Sequence, residues 1–242
     1  MAPLADRVAL VTGASRGLGA AVAVRLAALG AHVVITGRTQ GGLDDTDDVI
    51  RASGGSPGRS PGGSATLLPL DLREPDKLEA IAPSIFARFG RLDILVHAAA
   101  VLGKLTPVAH ATAADRLEAL SVNTLAVWRL IQSCDPFLRQ SDAGRAVFVT
   151  DSRVDALDAY WGPYTASKAA ARALVLTWAA ETSNKPLRVN LFDPGPMRTR
   201  LRAEAFPGED PASVPSPDVA AAALAALCLP DEQRHGEIVG FR

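Results

Sequence analysis

The stretch that decides the fold is Val8–Leu29, which reads VALVTGASRGLGAAVAVRLAAL. Its first four residues, Val8–Val11, are apolar, and a run this short predicts a buried parallel strand. A glycine-rich turn follows at once, and apolar residues then recur at helical spacing, at Leu18, Val22, Leu26 and Leu29. This unit points the first backbone N–H groups of the helix past the carboxyl end of the strand. Because such N–H groups lie at the positive end of a helix, the unit predicts a site for a pyrophosphate.

Three glycines in the turn have separate predicted tasks. Gly13 takes the tight turn, Gly17 lets a phosphate approach the backbone, and Gly19 lets the helix pack closely on the strand. Glycines alone are a weak indication because many structural turns contain two or three, but the flanking strand and helix favour a nucleotide site. We therefore predict that a dinucleotide contacts Gly13, Ser15, Arg16, Gly17, Leu18 and Gly19.

The end of the second predicted strand, Ala31–Thr36, indicates which dinucleotide is bound. An acidic residue at this place would accept hydrogen bonds from the adenosine ribose hydroxyls. This chain has Gly37-Arg38 instead, and Arg16 lies in the glycine turn. Two guanidinium groups can bind a 2′-phosphate that a carboxylate would repel, so we predict that NADP(H) is favoured over NAD(H). The alternative is that Arg38 is a solvated loop residue.

The composition fits a single domain over residues 1–242. Of the 242 residues, 48% are hydrophobic and the net charge is −1, which argues against a nucleic-acid-binding surface. The longest apolar run, Val219–Leu229, is well below the roughly 18 residues that a membrane helix needs. No secretory signal is visible, so we expect a cytoplasmic protein that does not bind a membrane. Cys134 and Cys228 lack metal-ligand spacing, which predicts buried thiols and no metal site.

Strands and helices alternate along the rest of the chain. The remaining predicted strands are Ala65–Leu70, Arg91–Val96, Ala146–Thr150, Leu187–Phe192 and Glu237–Phe241. The remaining predicted helices are Gly42–Ala52, Asp76–Phe89, Ala113–Leu138, Tyr164–Ala180 and Asp218–Leu229. The tract Ser53–Ser64, rich in glycine, serine and proline, predicts a mobile surface insertion. The charged segment Arg198–Pro215 is interpreted as a lid over the substrate.

Polar or small residues follow several predicted strands, at the sheet edge where ligands bind in a doubly wound fold. Asp71, next to Leu72, can accept a hydrogen bond from an adenine amino group or cap the following helix. The turn His97-Ala98-Ala99-Ala100 is small enough to lie against a cofactor. His97 itself is a poor catalytic candidate, because no carboxylate or cysteine spacing accompanies it.

Two later helices contain candidate catalytic residues. Asn123 lies inside the longest predicted helix, where it is either a polar residue at a packing seam or one that holds a water or opens the helix. Tyr164 and Lys168 lie on one face of the next helix, about one turn apart. A nearby ammonium favours tyrosinate, so Lys168 is predicted to lower the pKa of Tyr164 and let the phenol shuttle a proton. Alone, this pair is usually a surface coincidence, but here it follows a nucleotide-type turn.

Together these motifs resemble the short-chain dehydrogenase/reductase family over nearly the whole chain, from Asp6 to about Gly236. The motifs are Thr12-Gly13-x-x-x-Gly17-x-Gly19, Asp71-Leu72, Asn123, Tyr164-x-x-x-Lys168 and Arg188-Val189-Asn190…Pro194-Gly195-Pro196. Trp161-Gly162-x-Tyr164 and the segment Met197–Pro211 are similar to an uncharacterised bacterial branch of that family. The resemblance implies an α/β, doubly wound Rossmann fold with a seven-stranded parallel sheet flanked by helices on both faces, assembled as a homodimer or homotetramer.

The resemblance also implies a role for each candidate residue. Tyr164 is the general acid or base, and Lys168 holds the nicotinamide ribose and lowers the tyrosine pKa. Asn123 holds a water in the proton relay, and a serine after the fifth strand orients the substrate carbonyl. The remaining cofactor contacts implied are Asp71, Leu72, Ala98, Ala99, Pro194, Gly195 and Thr199.

Three features depart from the family pattern. The family commonly has asparagine where His97 stands, and the Ser53–Ser64 tract is longer than this connection needs. The family serine lies thirteen residues before the tyrosine, where this chain has Asp151, with Ser152 one residue later. An ionised Asp151 would raise the pKa of Tyr164 and repel an oxyanion, so we predict that a shifted turn brings the Ser152 hydroxyl closer to Tyr164 than Asp151.

The sequence is interpreted as an NADP(H)-dependent oxidoreductase that interconverts a small-molecule carbonyl and a secondary alcohol. Trp161, Met197 and Phe206 are candidates to line an apolar substrate pocket, although core residues would look the same. The alternative is a catalytically silent dinucleotide-binding protein that acts in sensing or assembly. It becomes the better interpretation if Asp151 points into the site and Ser152 points away. A Rossmann-like methyltransferase is disfavoured because its chemistry would give the Tyr164/Lys168 pair no role. Apolar outer faces on the helices Ala113–Leu138 and Tyr164–Ala180 predict a homo-oligomer.

Overall fold

The computed structural model describes residues 2–53 and 64–241. The strands are β1 (Val8–Thr12), β2 (His32–Gly37), β3 (Ala65–Pro69), β4 (Ile94–His97), β5 (Arg145–Val149), β6 (Arg188–Asp193) and β7 (Ile238–Gly240). The helices are α1 (Gly17–Ala28), α2 (Gln40–Ser53), α3 (Pro75–Phe89), α4 (Ala113–Leu120), α5 (Ala126–Leu138), α6 (Arg153–Ala156), α7 (Gly162–Glu181), α8 (Arg200–Ala205) and α9 (Pro217–Ala226). The predicted mobility of Ser53–Ser64 concerns a tract that, apart from its two end residues, lies outside the described residues.

The strands form one parallel seven-stranded sheet in the order β3-β2-β1-β4-β5-β6-β7. The chain moves outward from β1 to β3 and then returns to place β4 on the other side of β1. The loops that follow β1 and β4 therefore diverge, and this divergence opens a crevice at the carboxyl edge of the sheet. The predicted doubly wound Rossmann fold is confirmed.

Both faces of the sheet are covered, as the apolar start of β1 indicates. Val8 and Leu10 belong to the core that the sheet forms with α3, α5 and α7, whereas Ala9 and Val11 belong to the core with α1, α2 and α9. Since successive side chains of a strand point to opposite faces, a strand buried on both sides must be apolar throughout. Within residues 2–53 and 64–241, no helix is both long and apolar enough to cross a membrane.

The structure departs from the predicted elements at three places. The helix predicted over Ala113–Leu138 has those ends, but a π-helical turn at Ser121–Leu125 interrupts it and separates α4 from α5. The sequence analysis missed α6 and α8, because four and six residues are too few to show a helical period. Both short helices flank the crevice, so they matter for the site.

Candidate active site

The glycine turn forms one end of a cleft at the carboxyl edge of the sheet. Gly13 has a φ of +69°, and a Cβ there would lie 2.7 Å from the backbone of Ala99, so only glycine fits between the two loops. A Cβ on Gly19 would lie 2.3 Å from the carbonyl oxygen of Gly13, as expected for a residue that lets α1 pack closely on the turn. Gly17 has a φ of +57°, and a Cβ there would meet only the side chain of Thr199 across the cleft.

The first turn of α1 leaves its N–H groups free to bind an anion. Arg16 occupies the N-cap position without a side-chain capping bond, and the first turn contains no acidic residue. The N–H groups and the positive end of the helix dipole therefore face the cleft. This arrangement fits the pyrophosphate of a dinucleotide. The predicted contacts that line the cleft here are Gly13, Ser15, Arg16, Gly17 and Leu18, while Gly19 lies behind them.

Two arginines flank the part of the cleft beyond β2. Arg16 and Arg38 both line it and are exposed, and within the described part of the chain neither side chain makes a hydrogen bond or an ion pair. Gly37 stands where an acidic residue would contact a ribose, and a Cβ there would lie only 3.1 Å from the Cβ and Oγ of Ser15. This end of the cleft therefore combines unpaired positive charge with a position that favours glycine.

Asp71 is held by a neighbour that the sequence analysis did not consider. Its carboxylate accepts hydrogen bonds from the side chain and the backbone N–H of Arg73. These bonds lower the pKa of Asp71, and the charge of Arg38 adds to the effect. Asp71 does not cap α3, whose N-cap is Glu74. Contact with an adenine stays a prediction. The other predicted cofactor residues that line the cleft are Asp71, Leu72, Ala98, Ala99, Tyr164, Lys168, Pro194, Gly195 and Thr199.

Asn123 lies in the π-helical turn, so the helix is opened at the residue for which the sequence analysis considered this possibility. Its Nδ2 donates to the carbonyl oxygen of Val101 and to Ser167 Oγ, each at 2.9 Å, and its Oδ1 accepts from the Val101 N–H. The side chain thus joins the loop after β4 to α7 and does not line the cleft. A bound water at Asn123 stays a prediction.

Lys168 is buried below Tyr164 on α7, with 5% of its surface exposed. Its Nζ donates a 2.8 Å hydrogen bond to the carbonyl oxygen of Val149, at the end of β5. Burial lowers the pKa of Lys168 to about 8, although the carboxylates of Asp151 and Asp193 oppose this shift. Lys168 is therefore fixed at the carboxyl edge of the sheet, where the charges of two carboxylates act on it.

Asp151, and not Ser152, contacts the candidate catalytic tyrosine. The Tyr164 hydroxyl donates to Asp151 Oδ2 at 3.0 Å, while Asp151 Oδ1 accepts from the Arg153 N–H at 2.9 Å. The predicted approach of Ser152 to Tyr164 is wrong. Ser152 already has helical dihedrals (φ −60°, ψ −15°) as the N-cap of α6, which leaves it exposed. Its hydroxyl and backbone N–H lie on the side of Asp193 and counteract the rise in the pKa of that carboxyl. Because α6 begins at once, the turn does not shift by one residue.

The pKa of Tyr164 is also shifted in the direction opposite to the prediction. Tyr164 is 3% exposed, and this burial raises its pKa well above that of a free phenol. The charge of Asp151 and the hydrogen bond to it raise the pKa further, since both favour the neutral phenol. The predicted lowering by Lys168 is therefore wrong for this arrangement, whereas the predicted effect of a carboxylate beside Tyr164 is correct.

The sequence analysis missed two charged residues of the site, Asp193 and Arg153. Asp193 ends β6 and accepts the Gly195 N–H, and burial together with the charge of Asp151 raises its pKa. Arg153 opens α6, pairs with Asp158, and favours ionisation of Tyr164 by its charge. Each residue lies at or just beyond the carboxyl end of a strand. That position, where ligands bind in this fold, is the signal that could have found them.

An apolar cluster with arginines closes the other end of the cleft. Trp161 and Tyr164 pack with Leu102, and Phe206 of the segment after α8 contacts this cluster. The rings of Trp161 and Phe206 are 5.9 Å apart, and the Arg153 guanidinium lies 4.8 Å from the Trp161 ring. The Arg202 guanidinium stacks on the Phe206 ring at 3.8 Å. The cleft therefore offers a largely apolar chamber beside the Tyr164 hydroxyl, and part of Arg198–Pro215 forms its wall. Met197 also lines the cleft but packs against the core of α1, α2 and α9.

His97 is buried between two central strands of the sheet. It is 2% exposed and its Nδ1 is hydrogen-bonded to Thr12 Oγ1 at 2.8 Å, between β4 and β1. Burial, with the charge of Lys168, lowers its pKa to about 3. A neutral imidazole that cannot titrate near pH 7 is a structural residue, as the sequence analysis favoured.

Several known proteins resemble this chain over most of its length. The sequence profile described as short chain dehydrogenase matches residues 7–210. The chain is 36% identical to the uncharacterised oxidoreductase YciK of Escherichia coli over 88% of this chain and 82% of that protein. It is 32% identical to an NADPH-dependent aldehyde reductase-like protein of Arabidopsis thaliana, over 86% of this chain and 78% of that protein. A short chain dehydrogenase of Shigella flexneri, solved in complex with NADP, superposes with a TM-score of 0.88 at 31% identity, covering 99% of this chain and 98% of that one.

Proposed function

Because this chain belongs to the short-chain dehydrogenase family of NAD(P)-dependent oxidoreductases, we propose that it interconverts a carbonyl and a secondary alcohol with Tyr164 as the general acid or base. The observation that carries the proposal is the position of the Tyr164 hydroxyl. It lies where the dinucleotide cleft meets the apolar chamber, one helical turn from Lys168. A substrate oxygen in the chamber can therefore exchange a proton with the phenol while the cofactor, when bound, supplies or accepts the hydride.

The proposed cofactor is NADP(H). The glycine turn and the first N–H groups of α1 would hold the pyrophosphate, and the exposed guanidinium groups of Arg16 and Arg38 would bind the 2′-phosphate. Gly37 provides no carboxylate that could accept hydrogen bonds from the free ribose hydroxyls of NAD(H). The Arabidopsis relative named as NADPH-dependent and the Shigella structure with NADP support the same choice.

A second candidate function, a catalytically silent dinucleotide-binding protein, is favoured by the contact between Asp151 and Tyr164. An ionised carboxylate at this place would repel a developing oxyanion and gives the substrate no neutral hydroxyl donor. We nevertheless propose the enzyme, because a carboxylate on the phenol also supplies a proton acceptor, and the named relatives are oxidoreductases or reductases.

Turnover separates the two functions. The assay follows the nicotinamide absorbance of NADPH with a panel of aldehydes and ketones, and that of NADP⁺ with the matching alcohols. We expect turnover of at least one apolar carbonyl. We also expect Lys168→Ala to weaken both cofactor binding and turnover, since the proposed contact of Lys168 with the nicotinamide ribose would be lost. Tight NADPH binding without turnover of any substrate would favour the silent protein.

The outer surface of α4 and α5 supports assembly as a homodimer or homotetramer. Four large apolar side chains are exposed there and at the end of the π-helical turn that joins the two helices: Leu117 (63%), Leu120 (39%), Leu125 (42%) and Trp128 (50%). Exposed apolar patches of this kind mark association surfaces. On α7, all of which the structure describes, the mainly exposed residues are small or polar, so the expected apolar face is restricted to α4 and α5.

A further inference from the structure

The hydrogen bond from Tyr164 to Asp151 gives the tyrosine a proton acceptor of its own. Resting on the proposed function, we infer that Asp151 is the terminal proton acceptor in alcohol oxidation and returns the proton to Tyr164 in carbonyl reduction. The phenol donates to Asp151 Oδ2 at 3.0 Å, within the distance for proton transfer between oxygens. The pair thus forms a relay in which the substrate proton moves to Tyr164 Oη while the phenolic proton moves to the carboxylate.

The structure holds Asp151 in the geometry that such a relay needs. Its Oδ1 accepts the Arg153 N–H at 2.9 Å, which fixes the carboxylate and leaves Oδ2 to the phenol. Asp151 is half-buried and lines the cleft, so water can reach it, whereas Tyr164 is almost fully buried. A proton placed on Asp151 can therefore leave to solvent.

Lys168 donates its hydrogen bond to a group other than Tyr164. Lys168 Nζ donates to the carbonyl oxygen of Val149, and no hydrogen bond joins it to Tyr164 within residues 2–53 and 64–241. Four charged groups face the Tyr164–Asp151 pair from the surrounding elements: Lys168 of α7, Arg153 of α6, Asp193 of β6 and Arg202 of α8. Three of these groups are cations, and Asp193 is a second carboxylate beside Asp151.

The proposed steps balance for atoms and electrons. In oxidation, the C–H bond of the alcohol breaks and its hydride leaves to the oxidised dinucleotide, the oxidant of the proposed function. The alcohol O–H proton goes to Tyr164 Oη as the phenolic proton goes to Asp151 Oδ2, which leaves a carbonyl, a neutral phenol and a carboxylic acid. The carboxylic acid then releases its proton to water. In reduction, Asp151 takes a proton from water and returns it to the tyrosinate left after Tyr164 protonates the substrate oxygen.

This relay predicts a distinctive pH profile for oxidation. A tyrosine that serves alone as base must lose its proton, so its oxidation rate falls as the pH drops below the phenol pKa. A relay that ends on a carboxylate stays active until the carboxylate itself is protonated, and carboxyl groups titrate several pH units below phenols. Oxidation should therefore persist on the acid side of neutrality.

The test compares Asp151→Asn and Asp151→Ser with the parent protein. Asparagine keeps an oxygen that can accept the Tyr164 hydrogen bond but cannot take up a proton, so it separates a relay from mere positioning. We expect the acid limb of kcat/KM for alcohol oxidation to move up by about one pH unit or more in both variants. The matched control is Asp155→Asn, because Asp155 is an exposed α6 carboxylate paired with Arg172, outside the cleft.

A second readout does not depend on turnover. The chain contains two tyrosines, and Tyr160 is 59% exposed, so Tyr160→Phe leaves Tyr164 as the one tyrosinate signal in an ultraviolet pH titration. In this background, Asp151→Asn should let Tyr164 ionise at lower pH, which shows that the carboxylate acts on the phenol in solution. An unchanged titration or an unchanged acid limb in Asp151→Asn would overturn the relay.

Failure of the relay and failure of the proposed function give different results. Parent turnover that is lost in Tyr164→Phe but has the same acid limb in Asp151→Asn removes the relay alone. Absence of turnover in the parent, or full turnover in Tyr164→Phe, removes the proposed function and the relay with it. A folded Asp151→Asn that binds cofactor but is inactive throughout, while Asp155→Asn is normal, supports the relay.

Discussion

Arg38→Ala is expected to reduce the preference of the protein for NADPH over NADH. Arg38 lines the cleft, is exposed, and within the described part of the chain has no partner, so its charge is free for a 2′-phosphate. A hydrogen bond to a charged group contributes about 1.5–3 kcal/mol when well shielded, and solvent exposure places this one nearer 1–2 kcal/mol. The ratio of the two dissociation constants should therefore fall by about 5- to 30-fold.

The assay is a fluorescence titration of each reduced cofactor at fixed ionic strength, because the contribution of exposed charges depends on salt. The NADH dissociation constant should stay nearly constant, since NADH has no phosphate at that position. Arg25→Ala is the matched control: Arg25 is exposed in the last turn of α1, away from the cleft, and its loss changes the net charge equally. Equal dissociation constants in the parent protein, or equal weakening of both cofactors by Arg38→Ala, would refute the reasoning.

Three further predictions follow from packing and burial. Gly19→Ala should lower the free energy of unfolding by about 1–3 kcal/mol and weaken NADPH binding, because its Cβ would lie 2.3 Å from a backbone oxygen. The control Gly41→Ala should not destabilise the protein, because a Cβ there meets nothing within 4 Å. Denaturant titration measures the free energy of unfolding of both variants. Trp128→Asp should reduce the assembly mass measured by light scattering, because it places a charge in the exposed apolar patch of α4 and α5. Val49→Asp, at an equally exposed position on α2, should leave the mass unchanged. A monomeric parent protein would contradict the assembly proposal. The pKa of His97 is about 3 in the folded protein and 6.5 when unfolded, so the unfolded chain binds an extra proton as the pH falls below 6.5. Between pH 7 and 5, the free energy of unfolding of the parent should therefore fall by about 2 kcal/mol more than that of His97→Asn. Equal losses in the two proteins, measured by denaturant unfolding, would contradict this effect of burial.

The sequence predicts the framework of this protein well because local patterns determine it. The apolar run of β1, the glycines and the helical spacing of α1 are each ambiguous alone, but in this order they identify the fold. The sequence does not show which of two adjacent side chains turns inward. Asp151 faces Tyr164 because α6 begins directly after Ser152, and a four-residue helix leaves no periodic signal.

Electrostatics at the site is also a product of tertiary structure. The spacing of Tyr164 and Lys168 suggests an ammonium that lowers the phenol pKa. Burial of the phenol and the nearby Asp151 outweigh that effect, and Lys168 binds the end of β5 instead. Neither burial nor the approach of Asp193 from β6 can be read from local sequence. Motifs therefore located Tyr164 and Lys168 but not the groups that act on their pKa values, such as Asp193 and Arg153.

The central claim, that Tyr164 transfers the proton, is tested most directly by Tyr164→Phe beside Tyr160→Phe. The two tyrosines lie four residues apart, but Tyr164 is buried in the cleft and Tyr160 is exposed outside it. We expect Tyr164→Phe to lower kcat for carbonyl reduction by about 10²–10⁴-fold, the usual contribution of a general acid, with NADPH affinity nearly unchanged, and Tyr160→Phe to keep parent activity. A Tyr164→Phe variant that binds NADPH and reduces the same carbonyl at the parent rate would contradict the account.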